Sequence, residues 1–266
     1  MSGSLLQLSH VSKSFNTGQG ILKAVDDVSL TIAAGEAVGL VGESGSGKST
    51  IGRLALGLIN PTHGDVIFSG CSIVNLTERE LKPFRKQVQM VFQDPYSSLN
   101  PRLRISEIIG EALDAHGLAQ DRRAKRITEL LDMVGLNVSH VNRYPHEFSG
   151  GQRQRIGIAR ALAVEPRLLI ADEPVSALDV SVQAQIITLL QDLRRQLGLA
   201  LLFISHDLEI VELLCERVAV LYLGRVMEQG PTHQVMQNPR HPYSRALLAA
   251  VPKADPDILR TERLVS

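Results

Sequence analysis

The sequence predicts an α/β fold built around a mostly parallel β-sheet. Short apolar runs of strand length alternate with segments whose apolar residues recur every three or four positions, as they do in helices. One of these runs, 37–41, leads into a glycine-rich loop and then a helical segment, which is the strand–loop–helix pattern of a phosphate-binding unit. Apolar strands separated by helices indicate a parallel sheet that is covered on both faces.

The N-terminal part of the chain combines strand patterns with one helix pattern. The segments with alternating or continuous apolar residues predict strands over 5–11, 25–32, 37–41, 65–69 and 87–92. A helix is predicted over 48–58, directly after the glycine-rich loop.

The pattern becomes helical between about 95 and 163, and we interpret this stretch as a helical insert within the α/β domain. Its helices are predicted over 105–116, 124–134 and 150–163. Strand patterns then return at 168–171, 200–204 and 217–223, with helices at about 180–196 and 207–214. A hairpin partner strand is predicted over 224–230 and a helix over 243–250, followed by a loose polar tail.

The composition argues against some classes of protein. The 28 basic and 28 acidic residues cancel, which disfavours a general polyanion binder, so no nucleic acid is expected as a partner. The two cysteines, Cys71 and Cys215, lie far apart, and we expect a reducing compartment without a disulfide framework. No apolar run approaches the roughly 18 residues of a membrane-spanning helix, so the chain is not expected to cross a membrane by itself.

The glycine-rich loop fits the phosphate-binding pattern G-x-x-x-x-G-K-[ST] at every fixed position. Glycines let successive N–H groups curl around one anion, and the following helix adds its positive N-terminal end. Lys48 is predicted to contact the β- and γ-phosphates of a nucleotide, and the Ser49 hydroxyl to bind Mg²⁺. The alternative is a loop that matches by chance. The predicted nucleotide-binding residues of this segment are Gly42, Glu43, Ser44, Gly45, Ser46, Gly47, Lys48, Ser49 and Thr50.

Two adjacent acids, Asp172 and Glu173, follow the apolar run at 168–171. Ligands of open α/β sheets bind at the carboxyl ends of the strands, where these acids lie. Asp172 is predicted to bind Mg²⁺, and Glu173 to orient or deprotonate the water that attacks the γ-phosphate. The alternative is a strand that ends in a solvated acidic turn, which the presence of the phosphate loop disfavours.

A second potential anion site is formed by Ser149, Gly150, Gly151 and Gln152, which precede a predicted helix. The N–H groups and dipole of that helix favour an anion, although the same residues also suit an ordinary N-cap. Both this helix end and the phosphate loop can serve one nucleotide only if a second copy faces the first.

Three further residues are placed where a nucleotide is expected. Gln93 and His206 each follow a predicted strand, so Gln93 can contact Mg²⁺ or a water and His206 can reach the γ-phosphate. Phe15 can stack on an adenine ring. For His206 the alternative is a structural histidine, and for Phe15 an ordinary core aromatic residue.

Together these residues resemble the nucleotide-binding subunit of an ATP-binding cassette (ABC) transporter, over about residues 5–252. The motifs that resemble those of the family are Gly42–Ser49 (Walker A), Leu168–Glu173 (Walker B and the catalytic glutamate), Phe148–Gln152 (signature), Gln93 (Q-loop), Ser176–Asp179 (D-loop), His206 (switch histidine) and Phe15 (adenine stacking). The resemblance implies catalytic roles for Glu173, His206 and Lys48, and adds Asp179 to the nucleotide site. Phe148 and Val175 depart from the commonest family residues without removing a side chain that contacts phosphate.

The resemblance implies the fold, the cofactors and the activity. An ABC ATPase domain is expected over 1–240, with a mostly parallel core sheet, an antiparallel β subdomain and a helical subdomain inserted at about 95–163. A short C-terminal helix and tail are expected over 241–266. The expected cofactors are ATP and Mg²⁺, and the expected activity is ATP hydrolysis that energises import.

Three segments resemble the peptide and nickel import group of this family: Gln93–Arg102, Phe148–Arg155 and His241–Leu248. That group implies a second ATPase subunit, either identical or different, which pairs head to tail with this one. It further implies two integral membrane permease subunits, an extracytoplasmic solute-binding protein, and a position on the cytoplasmic face of the bacterial inner membrane. The expected solutes are peptides, nickel or a related small solute such as glutathione, and the sequence does not choose among them.

Two other functions compete with this interpretation. A soluble ABC-type ATPase of DNA repair or translation usually carries a long coiled-coil insert or two cassettes, and this sequence has neither. A P-loop kinase needs a phosphoacceptor site and has no use for Ser149–Gln152.

Overall fold

A computed structural model of the chain describes residues 3–18, 20–94, 98–118 and 122–250. The strands of the described part are β1 (Leu6–Thr17), β2 (Gly20–Ile32), β3 (Ala37–Val41), β4 (His63–Phe68), β5 (Cys71–Ser72), β6 (Val88–Val91), β7 (Leu168–Asp172), β8 (Ala200–Ser205), β9 (Arg217–Tyr222) and β10 (Arg225–Pro231). Its α-helices are α1 (Lys48–Ala55), α2 (Glu78–Gln87), α3 (Ile105–Ala115), α4 (Arg123–Met133), α5 (Gly150–Leu162), α6 (Val180–Leu197), α7 (Leu208–Leu214), α8 (Thr232–Gln237) and α9 (Pro242–Ala249). None of these helices is long and apolar enough to cross a bilayer.

The central sheet has six strands in the order β10-β9-β3-β8-β7-β6. Strands β3, β6, β7, β8 and β9 run parallel, and β10 pairs antiparallel with β9. All residues of β3, β7 and β8 are buried, as expected of strands covered on both faces. The predicted mostly parallel core is therefore confirmed, and the carboxyl ends of its parallel strands meet at one edge.

A second, antiparallel sheet has the order β2-β1-β4-β5. Its strands β1 and β2 are longer than the predictions over 5–11 and 25–32, since they continue to Thr17 and begin at Gly20. The added residues are mostly exposed on both faces, so they show no apolar alternation, yet the backbones of the two strands pair to the end of the hairpin. This sheet is the predicted antiparallel subdomain.

The core divides into two clusters, one on each face of the central sheet. Ala37 and Val41 of β3 pack into the cluster that includes α3, α4 and α5, whereas Val38 and Leu40 pack against α1 and the antiparallel sheet. This division follows from the two-residue period of a strand. The helical segment 105–162 is thus attached to the face opposite the antiparallel sheet.

The structure corrects several predicted elements. Helix α2 was not predicted, because only Leu81 and Phe84 of its ten residues are buried and Pro83 interrupts the pattern; a capping box from Thr77 starts it. The first helix ends at Ala55 rather than at 58, ahead of Gly57, whose φ is +65°. The short helix α8 was also missed.

The predicted tail at 251–266 lies outside the described residues, and the domain division at 240 remains a prediction.

Candidate nucleotide-binding site

The phosphate loop connects β3 to α1 and depends on two of its glycines. Gly42 has a φ of +151°, and a Cβ at this position would lie 2.1 Å from the carbonyl oxygen of Leu221. Gly47 has a φ of +106°, and its Cβ would lie 2.4 Å from the carbonyl oxygen of Ala24. No side chain fits either contact, so the loop requires glycine at both positions, where it passes close to neighbouring backbone.

Lys48 is the first residue of α1 and is 5% exposed. Its ammonium donates hydrogen bonds of 2.8 Å to the carbonyl oxygens of Gly42 and Glu43. Burial lowers the pKa of this ammonium, while the negative charges of Glu173, Asp172 and Glu43 oppose the shift. The loop therefore holds a cation at its centre through carbonyl oxygens that an anionic ligand can replace.

Oxygen ligands suited to Mg²⁺ converge between α1 and β7. The Ser49 hydroxyl donates a 3.2 Å hydrogen bond to Oδ1 of Asp172. Asp172 is buried, and burial raises the pKa of its carboxyl while the hydrogen bond from Ser49 opposes the shift. Hydroxyl, carboxylate and amide oxygens are the ligands that Mg²⁺ prefers, and Gln93 follows β6, the neighbour of β7. The three predicted metal ligands thus suit a magnesium ion in chemistry; Ser49 and Asp172 are in contact with each other, whereas the side-chain amide of Gln93 is hydrogen-bonded to Glu173.

Glu173 is held at the end of β7 by its neighbours. Its φ of +45° lies in the left-handed region, and its N–H donates to the carbonyl oxygen of Ile204 at 2.9 Å. Its carboxylate accepts a 3.0 Å hydrogen bond from Nε2 of Gln93 and lies 3.5 Å from Nδ1 of His206. The structure therefore brings together three predicted residues that follow three adjacent strands, β6, β7 and β8.

A cleft of about 320 Å³ opens over the phosphate loop. It is lined by Phe15, Leu22, Ala24, Ser44, Gly45, Gly47, Lys48, Ser49, Thr50, Gln93 and Glu173. Phe15 is 36% exposed and lies in β1 itself, and the Lys13 ammonium is 5.3 Å from the centre of its ring. Sequence reasoning missed Leu22 and Ala24, because it started the second strand at residue 25, whereas β2 begins at Gly20.

The segment 149–152 supplies none of the residues that line this cleft. Ser149 caps α5: its hydroxyl accepts from the N–H of Gln152 at 3.3 Å, and the Gln152 side chain accepts from the N–H of Ser149 at 3.0 Å. Gly151 packs so tightly that a Cβ there would lie 2.3 Å from Cγ1 of Val182. Within a single chain, the N-terminal end of α5 is therefore formed, but it does not reach the phosphate loop.

Asp179 is likewise used as a helix cap. Its Oδ1 accepts from the N–H of Val182 at 2.9 Å and from the Ser181 hydroxyl at 2.8 Å. These hydrogen bonds, the one from Val182 first, lower the pKa of the carboxyl. Because Val182 also packs on Gly151, the N-terminal ends of α5 and α6 are in direct contact.

Two family models match this chain. An ABC transporter model matches residues 25–176, which is more than half of the sequence. The chain belongs to the ABC transporter family. A model of the C-terminal region of oligopeptide/dipeptide transporters matches residues 227–265 of this ABC protein.

Curated relatives of this ABC protein match it over nearly its whole length. It is 52% identical to the oligopeptide transport ATP-binding protein OppF of Bacillus subtilis over 98% of this chain and 86% of the relative. It is 53% identical to a putative peptide import ATP-binding protein of Brucella ovis, over 98% and 82% of the two chains. It is 54% identical to the glutathione import ATP-binding protein GsiA of Salmonella paratyphi A, over 94% of this chain and 40% of that one.

Solved structures confirm the ABC ATPase fold. The dimeric post-hydrolysis state of the ATP-binding cassette MJ0796, bound to ADP and Pi, superposes with a TM-score of 0.78 at 33% identity over 85% of this chain and 98% of that one. CbiO1 of Clostridium perfringens, part of the ABC transporter complex cbiONQ, gives 0.79 at 27% identity over 98% and 99%. The protein is an ATP-binding and ATP-hydrolysing subunit of an ABC importer, as the resemblance implied.

Proposed function

We propose that this ATPase energises the import of peptides. The observation that carries the proposal is the match of residues 227–265 to the C-terminal region of oligopeptide/dipeptide transporters. Relatives named for oligopeptide and peptide import, at 52% and 53% identity, support it. Glutathione, for which a relative is named, and nickel are the competing solutes.

The phosphate loop is proposed to bind ATP through its N–H groups and Lys48. When ATP enters, the Lys48 ammonium exchanges the carbonyl oxygens of Gly42 and Glu43 for the β- and γ-phosphates. Ser44, Gly45, Ser46, Gly47 and Thr50 complete the cradle. Phe15 stacks on the adenine ring and covers the open side of the cleft.

Ser49, Asp172 and Gln93 are proposed to hold Mg²⁺ beside the phosphates. The bound ion would neutralise charge on the β- and γ-phosphate oxygens and fix their positions. Glu173 orients the attacking water and accepts its proton. Gln93 and His206 orient the Glu173 carboxylate, and His206 in turn reaches the γ-phosphate.

Each nucleotide is proposed to lie between two ATPase subunits that face each other head to tail. The segment Ser149–Gln152 of the partner copy contacts the γ-phosphate through the N-terminal end of its α5, and Asp179 lies at the junction of the two subunits. ATP therefore closes the pair, and hydrolysis removes the shared phosphate and lets it reopen. The second subunit can be an identical or a different chain.

The remaining partners are proposed to be two membrane permease subunits and, through them, an extracytoplasmic solute-binding protein. The ATPase would bind the permease on the cytoplasmic face of the bacterial inner membrane. Exposed Phe92 and Leu58 border a shallow groove of about 260 Å³ beside the Q-loop glutamine Gln93, which is where a permease helix would dock.

Uptake in a deletion strain tests the solute. Cells that lack this gene are supplied with the native chain or with Glu173→Gln, and the uptake of a labelled tripeptide, glutathione and nickel is measured. The proposal predicts that the native chain restores peptide uptake and that Glu173→Gln does not. Glu212→Gln, on the exposed side of α7, is the matched control and should restore uptake fully. Restoration of glutathione or nickel uptake without peptide uptake would overturn the proposed solute.

A further inference from the structure

The C-terminal helix α9 contacts the phosphate loop through one side chain. The hydroxyl of Tyr243 accepts a hydrogen bond of 3.4 Å from the backbone N–H of Glu43, although two hundred residues separate them. The Tyr243 ring packs on that of Tyr222, with their centres 4.3 Å apart. Tyr222 follows Leu221, whose carbonyl oxygen abuts Gly42 at the start of the loop. Tyr222 and Tyr243 therefore support the loop without lining the nucleotide cleft.

The position of Tyr243 is fixed by the start of α9. Both carboxylate oxygens of Glu228 on β10 are engaged, one by the N–H of Arg240 at 2.9 Å and the other by the N–H of His241 at 3.0 Å. The His241 side chain caps the helix by accepting from the N–H of Tyr243 at 3.1 Å, and Pro242 occupies the first helical position. These contacts fix the backbone from which the half-buried Tyr243 side chain projects.

Glu43 is held from both sides in this arrangement. Its N–H donates to Tyr243, and its carbonyl oxygen accepts from the Lys48 ammonium at 2.8 Å. Burial raises the pKa of the Tyr243 phenol, and the hydrogen bond from the Glu43 N–H opposes this shift. Once Lys48 turns to the phosphates, the N–H of Ser46 still donates to the Glu43 carbonyl oxygen at 3.2 Å. On the other side of the residue, the contact with Tyr243 still restrains the Glu43 N–H.

We propose that Tyr243 is a positioning residue that holds the Glu43 end of the phosphate loop in the shape that binds ATP. The inference rests on the proposed role of the loop and of Lys48. A glycine-rich loop loses much conformational freedom when it is ordered around a ligand. A loop that is already ordered binds more tightly, because that loss no longer opposes binding. The C-terminal helix therefore sets the ATP affinity of a site to which it contributes no phosphate contact.

Nucleotide binding by Tyr243→Phe tests the inference. This substitution removes the hydroxyl and keeps the ring on Tyr222. The dissociation constant of the full chain for a fluorescent ATP analogue with Mg²⁺ should rise about three- to tenfold, the range expected for one lost hydrogen bond. In the assembled transporter, KM for ATP should rise likewise while kcat stays within about twofold, because the hydroxyl touches no reacting atom. The thermal midpoint without nucleotide should not change.

Tyr222→Phe is the control, since it trims a hydroxyl from the packing partner and leaves the contact with Glu43 intact. It should bind the analogue as the native chain does. Native affinity in Tyr243→Phe, or equal weakening in both variants, would overturn the inference. A fall in the midpoint of nucleotide-free Tyr243→Phe would also overturn it, since the hydroxyl would then stabilise the fold in general. If Lys48→Ala loses binding and Tyr243→Phe does not, the inference alone fails; if Lys48→Ala binds normally, the proposed loop function fails.

Discussion

The side-chain amide of Gln93 donates a 3.0 Å hydrogen bond to the carboxylate of Glu173, although eighty residues separate the two in sequence. The contact exists because Val91 of β6 pairs with Ala171 of β7 in a parallel register, so both strands end at the same edge of the sheet. His206, after β8, lies 3.5 Å from the same carboxylate oxygen through its Nδ1. The proposed base therefore links the ends of three strands, and displacement of Gln93 by a permease would move it.

Glu173→Gln should abolish turnover and keep ATP binding. The amide is close in size to the carboxylate but cannot accept a proton from water, so phosphate release should fall by about 10²- to 10⁴-fold. Phosphate release and binding of an ATP analogue are measured on the same preparation, with Glu212→Gln as the matched control. Hydrolysis at the native rate in Glu173→Gln would mean that another group is the base.

Lys48→Ala should weaken ATP binding, the event that precedes the chemical step of hydrolysis. A lost charge-assisted hydrogen bond to phosphate corresponds to about a 10- to 100-fold rise in the dissociation constant. Titration with a fluorescent ATP analogue measures it, and Lys82→Ala, which removes an exposed lysine from α2, should bind normally. Unchanged affinity in Lys48→Ala would contradict the assignment of the loop.

Two glycines of α5 should respond to alanine in opposite directions. A Cβ at Gly157 meets nothing within 4 Å, so Gly157→Ala should raise the free energy of unfolding by about 0.5–1 kcal/mol. A Cβ at Gly151 would clash with Val182 at 2.3 Å, so Gly151→Ala should lower it. Urea denaturation of both variants measures the difference. Equal effects at the two positions would show that α5 does not pack on α6 as described.

Asp179→Ala should destabilise the nucleotide-free chain at neutral pH and much less in acid. The pKa of this carboxyl is lowered in the folded state, mainly by the hydrogen bond from the N–H of Val182. Its stabilising effect is therefore present above the unfolded pKa and disappears as the pH falls through the lowered folded pKa. Thermal midpoints at pH 7 and in acid measure the change, and Asp179→Asn, which can still cap α6, is the control. If the thermal midpoint of Asp179→Ala lies as far below that of the native chain in acid as at pH 7, the loss of the charged cap is not the cause.

The residues of the site that the sequence predicts are those whose chemistry depends on local spacing. Gly42 and Gly47 are recognisable because the loop tolerates no side chain at either position, and Asp172 and Glu173 because an apolar strand delivers them to a sheet edge. The same logic predicts the parallel core, since β3, β7 and β8 are continuous apolar runs.

The residues that sequence reasoning missed depend on tertiary contacts. Leu22 and Ala24 line the cleft from a hairpin whose outer half is exposed and has no periodic apolar pattern. Helix α2 is mostly polar and is defined by the capping box of Thr77 rather than by an apolar stripe. The contact of Tyr243 with Glu43 spans two hundred residues, and the sequence around His241–Leu248 indicates only a subfamily, not where its tyrosine lies.

The central claim, that one nucleotide is bound by Lys48 of one subunit and Ser149 of another, is tested most directly by the structure of the Glu173→Gln transporter with MgATP. The account predicts that the γ-phosphate lies within hydrogen-bonding distance of the Lys48 ammonium and of the serine–glycine turn that begins α5 in the facing subunit, whether that subunit is an identical or a different chain. A γ-phosphate contacted by Lys48 alone, with the turn of the facing subunit turned away from it, would contradict the account.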